Sequence, residues 1–185
     1  MNYMFRVSLV SVDIRDGWTP DRDVPCRALI VGFEEVMAGK LVALADRVVA
    51  KDLYDVASFA SDPPAHDPSL LHCLFVALSG ILPRALTTYG LGHLNAFTQK
   101  DLEIELSPLL REDERPEIEM LKTKVAPPLA RLLTLSPDER EYVERLQWGE
   151  FLPERVAGDR PDLLARLRGH PALLRKVENA RRGTS

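Results

Sequence analysis

The stretch from Glu34 to Asp55, EEVMAGKLVALADRVVAKDLYD, places the strongest constraint on how this chain can fold. Lys40 and Arg47 are seven residues apart, or two helical turns, so we expect them to share a face of one helix, about 10 Å apart along its axis. Both cations flank a predicted buried stripe, which favours the edge of a cleft over a fully solvated surface. The stripe consists of apolar residues with helical spacing, namely Met37, Leu41, Leu44 and Val48.

Two aspartates follow the predicted helix directly. Asp52 and Asp55 are three residues apart and therefore share a face of a second predicted helix at residues 52–59. Two cations beside two carboxylates suit a polyphosphate with its metal ion, because magnesium prefers carboxylate and phosphate oxygens. Purely structural interpretations stay open here, since long cations often extend along an amphipathic surface and acids often occupy the first turn of a helix.

Further aspartates occur near the N-terminus. Asp13 closes the first predicted strand, where an acidic residue can hold a metal ion, although aspartates at such places more commonly form turns. Asp21 and Asp23 form a D-x-D pattern in a Pro-containing loop, and we interpret this resemblance to a metal-binding motif as superficial.

The distribution of secondary-structure signals predicts an α+β fold. Strands are expected at residues 5–14 and 27–32, separated by a Gly- and Pro-containing loop at 16–25. After the helix that starts near Glu34 and the helix at 52–59, further helices are predicted at 69–86, 100–110, 117–133, 137–147, 161–167 and 171–181. We therefore expect a small αβ lobe at residues 1–60 and a helical lobe at residues 61–185.

Composition excludes several classes of protein. The chain has 185 residues and a net charge of −4, so the molecule as a whole is not a general polyanion binder. Cys26 and Cys73 are far apart and show no zinc-ligand spacing, which favours a reducing compartment. The longest apolar run, at residues 70–82, is too short to span a bilayer and contains His72. We expect a cytoplasmic protein without membrane association.

The segment FEEVMAGKLVALADRVVAKDLYD resembles the third and fourth motifs of the AbiEii/AbiGii nucleotidyltransferase toxins of type IV toxin–antitoxin systems. In that family a helix carries K-x6-R, which Lys40 and Arg47 match. An R-D-x-x-D follows, which Asp52 and Asp55 match, with Lys51 where arginine is usual. The stretches LTLSPDEREYVERLQWGEFLPERV and RLRGHPALLRKVENAR are similar to the closing helices of the family.

This resemblance implies a toxin of a toxin–antitoxin or phage-defence pair that transfers nucleotides from an NTP, with Mg²⁺ as its cofactor. A DNA-binding antitoxin is the implied partner, and the acceptor stays open between RNA, protein and other molecules. By the same resemblance, Lys40 and Arg47 would hold the triphosphate, and Asp52 or Asp55 would serve catalysis.

The chain also departs from the family pattern. Members begin with a glycine-serine or glycine-glycine turn followed by a metal-binding D-x-D, and this sequence contains no GS, no GG and no convincing D-x-D upstream of the matched motifs. We therefore expect an N-terminally truncated nucleotidyltransferase sheet and a chain that is inactive alone, unless another chain supplies the missing motifs. The alternatives are a complete enzyme whose start lies further upstream, a degenerate, non-catalytic binding protein of the same family, and an unrelated helical interaction module.

Overall fold

The computed structural model describes residues 7–17 and 26–183 of the chain and confirms the α+β class. Strands β1 (Asp13–Gly17) and β2 (Cys26–Ile30) form a two-stranded antiparallel sheet in which Asp13 lies opposite Ile30. The helices that follow are α1 (Phe33–Asp46), α2 (Ala50–Ser61), α3 (Pro68–Ser79), α4 (Gln99–Glu105), α5 (Ile118–Leu132), α6 (Pro137–Leu146), α7 (Glu154–Ala157), α8 (Pro161–Arg168) and α9 (Pro171–Arg181).

The predicted first strand at residues 5–14 was wrong in its position. Among its described residues, 7–12 lie outside any strand, and β1 starts only at Asp13. The reason is a tertiary contact, because the carboxylate of Glu35 accepts hydrogen bonds from the backbone N–H groups of Leu9 and Val10. Leu9 is buried, so this segment packs on the helical body without forming the backbone hydrogen bonds of a β-sheet.

The connection between the two strands was also only partly predicted. Asp16 and Gly17 belong to β1, although the loop was expected to start at residue 16. The rest of that loop, with the D-x-D pattern of Asp21 and Asp23, lies outside the described residues.

Several helices begin where predicted because residues that cap their N-termini can be identified in the sequence. Ser136 accepts a hydrogen bond from the N–H of Glu139, and the Glu139 side chain accepts one from the N–H of Ser136, which starts α6 at Pro137. The helix predicted at 69–86 is shorter, since α3 ends at Ser79 where Gly80 follows. Likewise, the helix predicted at 100–110 ends at Glu105 and is followed by a 3-10 turn.

Helix α3 is the centre of the core. Every residue from Cys73 to Gly80 is buried, and α3 packs against α1 on one side and α6 on another. The Tyr142 hydroxyl of α6 donates to the backbone carbonyl of Ala77 at 2.9 Å, which fixes this contact. Because α2 also packs against α5, buried residues on both sides of residue 60 form one cluster. The division into lobes 1–60 and 61–185 stays a prediction.

The helices found in residues 7–17 and 26–183 include none that is both long enough and apolar enough to cross a membrane.

Burial of Cys73 makes stability depend on pH. Its apolar surroundings disfavour the thiolate and raise the pKa of the thiol from 9.0 to about 11. Between these values the unfolded chain loses the thiol proton while the folded chain keeps it, so this contribution is complete below pH 9 and is lost towards pH 11. We expect the free energy of unfolding to fall by roughly 2–3 kcal/mol across this pH range, as measured by urea unfolding under reducing conditions. This loss should become smaller in Cys73→Ala. If the free energy of unfolding fell equally steeply with pH in that variant, its pH dependence would not come from Cys73.

Candidate functional site

The junction of α1 and α2 brings the four predicted site residues together. Helix α1 ends at Asp46, and Arg47 has extended backbone angles of φ −141° and ψ 155°. The prediction that Lys40 and Arg47 share one helix was therefore wrong. The β-branched residues Val48 and Val49 follow and disfavour a further helical turn, so the chain is extended before α2 begins at Ala50.

Despite this break, both cations reach the aspartates of α2. The Nε atom of Arg47 lies 2.8 Å from Oδ2 of Asp52. The Nζ atom of Lys40 lies 2.7 Å from Oδ2 of Asp55 and 3.7 Å from Oδ1 of Asp52. Lys40 thus bridges the two carboxylates, and the four side chains form a compact cluster with two positive and two negative charges. We call it the α1–α2 charge cluster.

The carboxylate of Asp52 is the buried centre of this cluster. Its side chain is only 3% exposed, whereas the side chains of Lys40 and Arg47 are 39% and 58% exposed. A buried carboxylate is stable only when it is paired and hydrogen-bonded, and here each of its oxygens faces a cation. The hydrogen bond to Asp55 raises the pKa of Lys40, and the hydrogen bond to Asp52 raises the pKa of Arg47, so both cations keep their charge.

A distant residue completes the start of α2, and sequence reasoning missed it. The N-cap residue Val49 has no side chain that can accept a hydrogen bond. Instead, Oε2 of Glu105 at the end of α4 accepts the N–H of Ala50 at 2.7 Å. The signal in the sequence was indirect: a predicted helix start without a capping side chain requires an acceptor from elsewhere. Glu105 therefore anchors the helix that carries both aspartates.

Asp13, the predicted metal ligand, lies in β1, and its carboxylate contacts Arg15 at 3.5 Å. Within residues 7–17 and 26–183, no three His, Cys, Asp or Glu side chains are grouped so that they could hold a metal ion. The cluster does not fit Mg²⁺ as arranged, because an added cation near Asp52 would meet Lys40 and Arg47. The metal role of Asp13 stays a prediction.

The fold and the site define a class: an α+β protein whose small sheet leads into a helical body and whose first two helices carry a lysine and an arginine against a D-x-x-D pair. A family comparison narrows this class. Residues 9–149 match the model of the nucleotidyl transferase AbiEii toxin of type IV toxin–antitoxin systems. The match covers most of the chain and includes the whole α1–α2 charge cluster, and the chain belongs to this family. Its members are nucleotidyltransferase-like toxins, which implies a nucleotide substrate and an antitoxin partner.

Comparison with curated proteins and with solved structures finds no significant match.

Proposed function

We propose that Lys40 and Arg47 bind the triphosphate of an NTP and that Asp52 or Asp55 acts on the attacking hydroxyl during nucleotidyl transfer. One observation carries this proposal: the four residues predicted from separate motifs meet in one cluster, inside the region that matches the family. Lysine supplies a compact charge and arginine a planar set of donors, and both suit phosphate oxygens. An unrelated helical module is disfavoured, since it would not be expected to bring these four residues together.

The geometry suggests an order of events in which Asp55 responds to the nucleotide. Asp55 is 41% exposed and Asp52 only 3%, so Asp55 is the partner that incoming phosphates can replace at Lys40. Released from Lys40, the Asp55 carboxylate can accept the proton of an attacking hydroxyl. The hydroxyl oxygen then forms a bond to the α-phosphorus while the bond to pyrophosphate breaks. Asp52 stays buried and holds Arg47 in place.

We further propose that this chain alone does not complete the reaction. Nucleotidyl transfer needs charge neutralisation at the reacting phosphate, which metal ions commonly supply. The α1–α2 charge cluster is already neutral within itself, so a Mg²⁺ ion would require additional ligands, for example from another chain. On this view the partners are an NTP, a chain with the missing motifs, an antitoxin and an acceptor such as RNA, all in the cytoplasm. A non-catalytic family member that binds the antitoxin is the second candidate, because internal ion pairs also suit a structural role.

The test is nucleotide binding by calorimetry, with each of the four common NTPs in turn. Lys40→Ala is expected to weaken binding at least tenfold, because a charged hydrogen bond to phosphate contributes about 1.5–3 kcal/mol. Asp55→Asn is expected to strengthen binding, since it removes the competitor for Lys40. Lys100→Ala is the matched control, because Lys100 is an exposed lysine outside the matched motifs and should leave the affinity unchanged.

Transfer and partner binding separate the two candidate functions. The purified chain should transfer no nucleotide to RNA or protein. Robust transfer by the purified chain that is abolished by Lys40→Ala and by Asp52→Asn would contradict the proposal that the chain is inactive on its own. Triphosphate affinity that does not change in Lys40→Ala would contradict the proposed site itself. If antitoxin binding survives Lys40→Ala and Asp55→Ala while no NTP binds, the non-catalytic role replaces the enzymatic one.

A further inference from the structure

A cavity lies away from the α1–α2 charge cluster, between the end of α2, the start of α3 and one side of α5. Its volume is about 510 Å³, within the range of pockets that hold small ligands. Its lining includes Phe59 and His66 on one side and Lys124 and Arg131 on the other. We call it the α5 cavity.

The α5 cavity is positively charged, although the chain as a whole is acidic. Lys124 and Arg131 are seven residues apart on α5, which spans both of them, so they repeat the K-x6-R spacing on a single helix. In the part of the chain that the structure describes, neither side chain forms an ion pair, whereas the neighbouring Lys122 contacts Glu119 at 2.7 Å. None of the described residues that line the cavity is Asp or Glu. Two cations without acidic partners therefore face one cavity.

Aromatic and apolar groups form the opposite wall. The rings of Phe59 and His66 meet edge to face, with centroids 5.3 Å apart. Nδ1 of His66 lies 2.8 Å from the carbonyl oxygen of Pro64, and since a carbonyl only accepts, Nδ1 carries the proton and the ring is held in place. His72 also lines the cavity, and its Nε2 contacts Glu139 at 2.9 Å. This wall therefore offers aromatic surface against which a flat ring can pack.

Two prolines inside α5 add hydrogen-bond acceptors on the same side. Pro127 and Pro128 lie within the helix and line the cavity. Because proline has no N–H, the carbonyls of Thr123 and Lys124 lack the donor that an α-helix supplies four residues later. Both of these residues also line the cavity, which places two carbonyl oxygens without a helical donor close to it.

We propose that the α5 cavity binds a nucleotide at a site separate from the α1–α2 charge cluster. The phosphates contact Lys124 and Arg131, the base packs against Phe59 and His66, and its N–H groups donate to the freed carbonyls of α5. Each part of the cavity matches one chemical part of a nucleotide: cations for phosphate, aromatic rings for the base and backbone carbonyls for its amino groups. A purely anionic ligand would make no use of the aromatic wall.

The experiment uses the full chain with Lys40→Ala, Arg47→Ala and Asp52→Asn, so that the first site cannot contribute and no unpaired carboxylate stays buried. ATP binding, followed by calorimetry, should persist in this background and weaken at least tenfold when Lys124→Ala and Arg131→Ala are added. Lys122→Ala is the matched control on the same helix and should leave the affinity unchanged. Because Lys124 and Arg131 are exposed, replacing them should not change the fold of this background, and circular dichroism of each variant checks this.

Two further ligands test the assignment of the base. Inorganic triphosphate should bind more weakly than ATP, and His66→Ala should reduce ATP affinity without changing that of inorganic triphosphate. Equal affinity for the two ligands would overturn the proposal, since charge alone would then explain binding. Binding of an RNA oligonucleotide without any binding of ATP would also overturn it and would assign the cavity to RNA. Unchanged ATP affinity after replacement of Lys124 and Arg131 would show that the α5 cavity is not the nucleotide site.

Discussion

Replacing Asp52 by lysine is expected to lower the free energy of unfolding by about 4 kcal/mol or more, because three effects act in the same direction. The side chain is 3% exposed, so a new cation would lose its hydration. It would also face Lys40 and Arg47, which already carry positive charge. In addition, residue 52 lies in the first turn of α2, where the helix dipole disfavours a cation.

Urea unfolding of three variants separates burial from charge. Asp52→Asn keeps the shape but loses the ion pairs and should cost about 1–3 kcal/mol. Asp55→Lys makes the same charge change one turn later, at a side chain that is 41% exposed, and should cost about 1 kcal/mol. If Asp52→Lys and Asp55→Lys proved equally stable, burial of Asp52 would not be what holds the α1–α2 charge cluster together.

Gly80→Ala is expected to lower the free energy of unfolding by about 1–3 kcal/mol, because it overfills the contact between α3 and α6. A Cβ atom at Gly80 would lie 2.3 Å from Cδ2 of Leu146 and 3.1 Å from the hydroxyl oxygen of Tyr142. The backbone of Gly80 is ordinary, with φ −56°, so the effect is steric. The clash also pushes on the hydroxyl that donates to Ala77.

A double-mutant cycle, read from urea unfolding, tests this cause. Leu146→Ala alone should cost about 2–5 kcal/mol, since Leu146 is fully buried. Combined with Gly80→Ala it should cost at least about 1 kcal/mol less than the sum, because the new methyl group enters the vacated space. Gly39→Ala is the control: nothing lies within 4 Å of its added Cβ in α1, and it should raise stability by about 0.5–1 kcal/mol. Additive costs at Gly80 and Leu146 would contradict the steric explanation.

Local signals explain which parts of the fold could be predicted. Helices α6, α8 and α9 begin at Pro137, Pro161 and Pro171, as expected, because proline at the first helical position is a signal within the sequence itself. The first strand could not be placed in this way. Its apolar residues alternate like a strand, but the Glu35 carboxylate takes the N–H groups that a ladder would use. That contact spans more than twenty residues and leaves no local pattern.

The candidate site shows the same division between local and tertiary information. The K-x6-R and D-x-x-D motifs identified four residues that do meet, although their functional roles stay predictions. Periodicity alone could not show that α1 ends before Arg47 or that Lys40 contacts both carboxylates. The role of Glu105 at the start of α2 depends on the packing of α2 against α4 and was not accessible from sequence.

The contact between Glu105 and Ala50 can form only late in translation, because the two residues lie far apart in the chain. The two residues are separated by 55 positions, and translation adds about 5–20 residues per second, so the acceptor for the first N–H of α2 emerges roughly 3–11 s after the helix itself. Until then the nascent chain carries Asp52 on a helix without its anchor. The start of α2, which precedes both aspartates of the α1–α2 charge cluster, thus obtains this acceptor only when more than half of the protein has been made, and a prematurely terminated product that stops before Glu105 lacks it.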